Sequence, residues 1–357
     1  MKRLAATIET LNYDKEILNL DKYGPIEADI TIIAIQVHTS ILRLQYLIAS
    51  LEQVPYIDSV LIIFSHSYYH EDINDLIRSI TFCRVLQVFY PHSLQLNPHK
   101  FPGIDPDDCG NKTQREAKIF CTDRDATITE HKQHWWWKAN LIFNSLPWST
   151  SYVGTVLFLE EDDYVLPDLL HMLRYSQELM ISMPEVEIIS LGGLYLKNRQ
   201  YDLLTVDAWK PPYHKGLAFN KSAWRRMSQL SSYFCVYDDS SWGYSLLHLF
   251  EHIQKGRIDM VTCMVPRVIS TGRFESGREA MEVIETRLMN AGLFPKDIKA
   301  VMLFDEEGRV TKKMKAPPHG NGGWGDVRDH LLCLDPQMVT STKTTDEDST
   351  ITVPVFS

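Results

Sequence analysis

The sequence predicts an α/β fold with a mostly parallel central sheet. Three observations carry that prediction: apolar runs of strand length at regular intervals, helical periodicity between them, and a cluster of acids where one strand stops. The runs are Ile30–Val37, Val60–His66 and Val85–Pro91, each rich in Val, Ile or Phe and too short for a buried helix. Between them, Leu42–Leu51 and Asp72–Ile80 repeat Leu and Ile at helical spacing, so the chain opens β-α-β-α-β, as nucleotide-binding folds do. Neither G-x-G-x-x-G nor G-x-x-x-x-G-K-[ST] follows the first strand, so a dinucleotide or P-loop site is not supported there.

Asn97–Thr129 is polar, holds Pro102, Pro106, Cys109 and Cys121, and reads as a loop excursion that a disulfide could pin. Gln133–Leu146 reads as a helix carrying Trp135, Trp136 and Trp137, which cover both of its faces; one ring belongs in the core and another is available as an aromatic wall. Thr155–Leu159 is a fourth strand, Pro167-Asp168 opens a helix to about Met183, and Glu187–Leu191 is a fifth strand closed by Gly192-Gly193. A Trp209-Lys210 segment, a Gly216–Asn220 strand and a helix from Ser222 follow in a more irregular second half. The expected divisions are an N-terminal arm (1–28), a first half of regular β-α units (29–195), a more irregular second half (196–333) and a disordered tail (334–357) whose Thr, Ser and Asp cannot build a core.

Composition removes several functions. The 357 residues carry 36 Lys+Arg against 46 Asp+Glu, a net charge of −10 that offers no field to gather nucleic acid. No apolar stretch reaches the roughly 18 residues of a spanning helix, and Met1–Glu9 has no signal-peptide core, so the chain as written reads as soluble. The six cysteines form no C-x-x-C pair, which argues against a zinc ribbon. Sequons at Asn111 and Asn220 lean weakly toward a secretory history.

The sharpest local feature is Glu160-Glu161-Asp162-Asp163 at the C-terminal end of the fourth strand, the edge where open α/β sheets bind ligands. Adjacent carboxylates repel, so a hard divalent ion with a phosphate ligand is their natural partner; a solvated lead-in to the next helix is the plainer alternative. Asp238-Asp239 is a second acidic pair, readable as a helix cap or as a general base, with the cap favoured on local grounds. The thirteen histidines show no H-E-x-x-H or comparable spacing.

Gln36-Val37-His38, Phe64-Ser65-His66, Phe101-Pro102-Gly103, His134-Trp135-Trp136-Trp137-Lys138, Phe158-Leu159-Glu160-Glu161-Asp162, Gly216-Leu217-Ala218 and Asn321-Gly322-Gly323-Trp324-Gly325-Asp326 resemble, in that order, the N-acetylglucosaminyltransferase II family. The resemblance runs from about Leu11 to Cys333. It implies a GT-A (Rossmann-like nucleotide-sugar-binding) fold, UDP-GlcNAc as donor, Mn²⁺ as cofactor, a mannose-terminated N-glycan as acceptor, and inverting transfer to the 2-hydroxyl of an α1,6-linked mannose. It places Gln36, Val37, His38, Thr39, Ser40, Ser67, Lys132, His134, Glu160 and Glu161 along the donor, Asp162 on the metal, and Trp209 and Trp242 at the acceptor. It pairs Cys109 with Cys121 and Cys235 with Cys333, leaving Cys83 and Cys263 free. It implies residence in the Golgi lumen or membrane, with membrane attachment only through an N-terminal anchor that this chain lacks.

Four departures fall on the chemistry. The family's base carboxylate is replaced by Gly243, its second metal ligand, a His, by Ser270, and two uridine-diphosphate contacts by Thr39-Ser40 and Ser67. Glycine takes no proton, and a hydroxyl is a poor substitute for imidazole on a metal. Asp238 or Asp239 could deputise as base after a shift of one helical turn. Two expectations therefore stand together: a UDP-GlcNAc-dependent transferase, and a catalytically impaired paralogue that binds a glycan or partner.

Overall fold

In a computed structural model of the chain, the described residues are 2–105, 124–193, 200–253, 256–274, 277–289, 292–302 and 314–335. The tail beyond 335, the Asn111 sequon and the expected Cys109–Cys121 bond lie outside them. Twelve strands are described: β1 (Ile17–Leu18), β2 (Ile32–Val37), β3 (Leu61–His66), β4 (Arg84–Phe89), β5 (Thr155–Glu160), β6 (Asp163–Val165), β7 (Val186–Ser190), β8 (Leu203–Ala208), β9 (Leu217–Asn220), β10 (Asp259–Cys263), β11 (Val268–Ser270) and β12 (Lys299–Met302). Ten of them form one sheet in the order β1-β4-β3-β2-β5-β9-β7-β10-β8-β12, and β11 pairs with β6 apart from it.

The expected β-α-β-α-β opening is present. β4, β3, β2 and β5 run parallel, with helices Ile41–Glu52 and Glu71–Arg78 as crossovers. The strands are buried along their length because both sheet faces are covered. Alternate side chains feed two different cores, as strand geometry requires: Ile32, Ala34 and Ile63 join the tryptophan-rich layer of Trp135, Trp136, Trp137 and Trp224, while Ile33, Ile35 and Phe64 pack on Leu44 and Leu47 of the opposite layer. Each such side chain contributes about 1.5–3 kcal/mol on burial, so this block forms the rigid base of the molecule.

Beyond β5 the sheet turns mixed. β9 runs antiparallel to both β5 and β7, β7 and β10 are parallel, and β10 is antiparallel to β8. The N-terminal segment is more than an arm: helix Lys2–Asp14 lies against β4, and the Asn12 amide donates to Phe89 O and accepts from Phe89 N. The tryptophan helix begins at Ala126, inside the span expected to be loop, because Asp125 accepts from the Thr127 and Ile128 amides and caps it. After Asn140 it widens into one π-helical turn, Leu141–Ser145.

Candidate active site at the switch point of the sheet

From β2 the chain moves outward through β3 and β4, then returns to place β5 on the other side of β2. This reversal leaves a crevice at the C-terminal ends of β2 and β5, where ligands bind in open α/β sheets. One rim is the turn after β2. Its backbone amides at His38 and Ser40 donate to Glu161 Oε2 and Oε1 at 2.7 and 3.1 Å. Ser40, the N-cap of helix Ile41–Glu52, makes no side-chain cap bond of its own, and Glu161 holds the turn leading into that helix from across the crevice. Burial raises the Glu161 carboxyl, and the amides of residues 38–40 pull it back only in part.

The other rim is the acid cluster, and its centre is a lysine. Lys215 Nζ donates to Glu160 Oε2 at 2.6 Å and to Asp162 Oδ1 at 2.8 Å, and lies 3.2 Å from Asp163 Oδ1. Two glycines fix it there. Gly216 takes φ of 60°, and Gly192 approaches so closely that a Cβ would stand 2.5 Å from Lys215 O. Burial alone would lower the Lys215 ammonium, but Asp163, Glu160 and Asp162 outweigh it and hold it well above the usual lysine range. Glu160 answers in kind: burial would raise its carboxyl, and the Lys215 ammonium instead keeps it well below the usual carboxylate range.

The fit of a divalent ion can be tested on this donor set. Asp162, the expected ligand, has every oxygen engaged: Oδ1 with Lys215, Oδ2 with the Ser270 hydroxyl at 2.8 Å, and the carbonyl with Thr271 N and Oγ1, both at 2.7 Å. Gly272 packs against the same carboxylate, since a Cβ there would lie 2.4 Å from Asp162 Oδ2. A divalent ion would have to displace the ammonium from these oxygens, because two cations competing for the same carboxylates repel one another. The residues present do not fit Mn²⁺.

The expected donor residues divide. Gln36 Oε1 accepts from Lys138 Nζ at 3.0 Å, and His38 Nδ1 meets Ser67 Oγ at 2.7 Å, so Gln36, His38 and Ser67 form one network at the strand ends. Burial brings the Lys138 ammonium down to about 7. Val37 is core. His134 is fully buried, with Nε2 at 2.7 Å from Ser65 Oγ and its ring stacked on Tyr90. Lys132 points elsewhere: Nζ donates to Asp239 O at 2.9 Å and sits 3.9 Å from the Trp324 ring centre, beneath the Tyr237–Asp239 turn.

Asp238 and Asp239 hold chain rather than substrate. Asp239 accepts from Ser241 N, Asn321 N and Asn321 Nδ2, at 2.9, 3.1 and 2.7 Å, and Asp238 Oδ1 accepts from Trp324 N at 2.8 Å. The cap reading is corrected: Ser241 is the N-cap of helix Trp242–Glu251, and Asp239 instead closes the turn before it and, with Asp238, holds the Asn321–Trp324 turn. The expected Cys235–Cys333 bond closes the same corner, while Cys83 and Cys263 are free and buried. Trp209 is buried edge-on to Phe250 and cannot meet an acceptor directly.

Trp242 lies at the groove, partly buried against the tryptophan-rich core. Its ring stacks on Trp135 at 4.6 Å, so the aromatic wall forms between two distant tryptophans rather than from the triplet alone. Trp242 and His214 together line both the crevice beside Glu160 and Lys215 and a neighbouring groove of about 250 Å³ formed with Pro211, Ser241, Gly243 and Tyr244. Sequence reasoning named Asp163 only as one of four clustered acids, and missed Lys215 and His214. Only the glycine after Lys215 hinted at a constrained position.

The family pattern described as N-acetylglucosaminyltransferase II matches residues 5–333. The alpha-1,6-mannosyl-glycoprotein 2-beta-N-acetylglucosaminyltransferase of Sus scrofa is 33% identical over 358 residues, spanning 93% of this chain and 78% of that protein. The protein of the same name from Homo sapiens is 33% identical over 359 residues with the same coverage. The one from Arabidopsis thaliana is 30% identical over 336 residues, spanning 89% of this chain and 77% of that protein. The chain belongs to the N-acetylglucosaminyltransferase II family.

Proposed function

We propose that this family member transfers GlcNAc from UDP-GlcNAc to the 2-hydroxyl of an α1,6-linked mannose during N-glycan processing, with inversion. The observation that carries the reading is the shared wall: Trp242 and His214 border both the switch-point crevice and the groove, so donor and acceptor spaces meet. The donor lies along the network of Gln36, His38 and Ser67, and the mannose packs its apolar face on Trp242. In the displacement the acceptor oxygen bonds to the anomeric carbon, the bond from that carbon to the β-phosphate oxygen breaks, and UDP leaves with the electron pair.

The hydroxyl proton needs an acceptor, and Gly243 offers none. His214 supplies it. Its Nδ1 donates to Pro211 O, so in the neutral ring the lone pair lies on Nε2. Each relative named above carries the name of the same transferase, which favours a working enzyme over the impaired paralogue. The Cys235–Cys333 bond and the mannosyl-glycoprotein substrate in those relatives' name support a working place in the Golgi lumen.

The test is incubation with UDP-GlcNAc and a mannose-terminated biantennary precursor, followed by mass spectrometry. One added N-acetylhexosamine, removable by a β-specific hexosaminidase, is the expected product. An unchanged acceptor across a panel of mannose-terminated glycans would sink the reading.

A further inference from the structure

We infer that Lys215 takes the place of a divalent metal ion, so that the donor crevice binds UDP-GlcNAc and supports transfer without Mn²⁺. The inference rests on the donor-site reading above and adds what that reading leaves open, the source of positive charge.

A leaving diphosphate gains charge as the sugar–phosphate bond breaks, and a crevice walled by Glu160, Asp162 and Asp163 cannot accept that charge unaided. A fixed cation must lie among the acids. Lys215 is that cation: it is more than nine-tenths buried, its glycine neighbours hold its backbone, and its ammonium is within 3.2 Å of all three carboxylates. Ser270 fits the same arrangement. Its hydroxyl donates to the Asp162 oxygen that Lys215 does not use, which satisfies the carboxylate where imidazole would have served a metal. The loss of the His ligand and the presence of the lysine are thus two halves of one exchange.

The ammonium has three donors on a flexible four-carbon stem. Asp163 is fully buried, while the side chains of Glu160 and Asp162 keep 29% and 20% of their exposure. When donor binds, Lys215 retains Asp163 and turns one N–H from an exposed acid to a phosphate oxygen. The ammonium then stabilises the departing UDP with no bound ion.

The experiment uses the whole chain stripped of metal with chelator. UDP-GlcNAc is titrated calorimetrically in EDTA and again in Mn²⁺, transfer is measured in both, and Mn²⁺ uptake is read separately by its paramagnetic resonance signal in the presence of UDP. The inference expects affinities and rates that agree within about twofold between the two conditions, and no stoichiometric Mn²⁺ bound. Lys215→Met is expected to weaken donor binding in EDTA by tenfold or more and to acquire Mn²⁺ uptake, because the acids are released. A thermal melt checks that this variant folds; should it fail, the wild-type arms decide alone.

Donor binding by the wild type that vanishes in EDTA and returns with Mn²⁺ overturns the inference and leaves the transferase standing. Equal donor binding in both conditions without transfer keeps Lys215 as the donor-site cation, overturns the transfer half of the inference and counts against the transferase. Absence of donor binding in either condition overturns the donor-site reading and this inference with it.

Discussion

Two acidic clusters read alike in the sequence and do opposite work. Glu160, Asp162 and Asp163 converge on one ammonium, whereas Asp238 and Asp239 are spent on amide N–H groups of the 241 and 321–324 turns. The difference lies in the partner. A carboxylate facing a buried cation keeps an electrostatic role in a ligand crevice, and one saturated by backbone donors becomes a structural clamp. A third carboxylate completes the series: among the described residues Glu130 accepts from the Leu94 amide alone, and burial raises it to about 7.

The contrast can be broken most directly at the proton. His214→Gln should lower kcat by about two to four orders of magnitude with donor affinity unchanged, as loss of a general base does. If the rate survives and Asp239→Asn abolishes it instead, the two clusters have been assigned the wrong way round. Asp239→Ala should cost about 3 kcal/mol in urea unfolding, because three donors lose a charged acceptor in the interior. A variant of wild-type stability that has lost transfer would contradict the clamp.

Glu130 sharpens the contrast through pH. Its folded carboxyl titrates near 7 against an ordinary 4.5, so the folded state holds the proton more tightly than the unfolded chain does. Stability therefore falls as pH rises from 4.5 to 7 and is level above that, by about 3 kcal/mol for this group. Glu130→Gln should remove that slope, and a parallel slope in wild type and variant would count against it. The smallest effect is expected at Gly243, where an added Cβ would come no closer than 3.6 Å to any atom. Gly243→Asp should be tolerated and should raise kcat about tenfold in the His214→Gln background; no gain would mean that the acceptor hydroxyl lies out of its reach.

Much of this was legible in the chain. β2 to β5 announce themselves because strands buried on both faces must be continuously apolar. The acid cluster is visible because it terminates such a strand. β1, β8, β10 and β12 were not foreseen, since their pairing joins segments distant in sequence and leaves no local period. Lys215 was invisible for the same reason: the nearest acid it binds is 52 residues away, at Asp163. The roles of Asp238 and Asp239 were half legible: a structural use of the pair from its place before a helix, but not the clamp, which needs the returning Asn321–Trp324 turn.

The Trp135–Trp242 stack gives the molecule a property of a different kind. Two indoles 4.6 Å apart and within 6° of parallel couple their electronic transitions, and one of them is a wall of the groove. A sugar that tilts Trp242 uncouples the pair. Occupancy of the groove therefore has an optical signature in near-ultraviolet dichroism, carried by the unmodified chain.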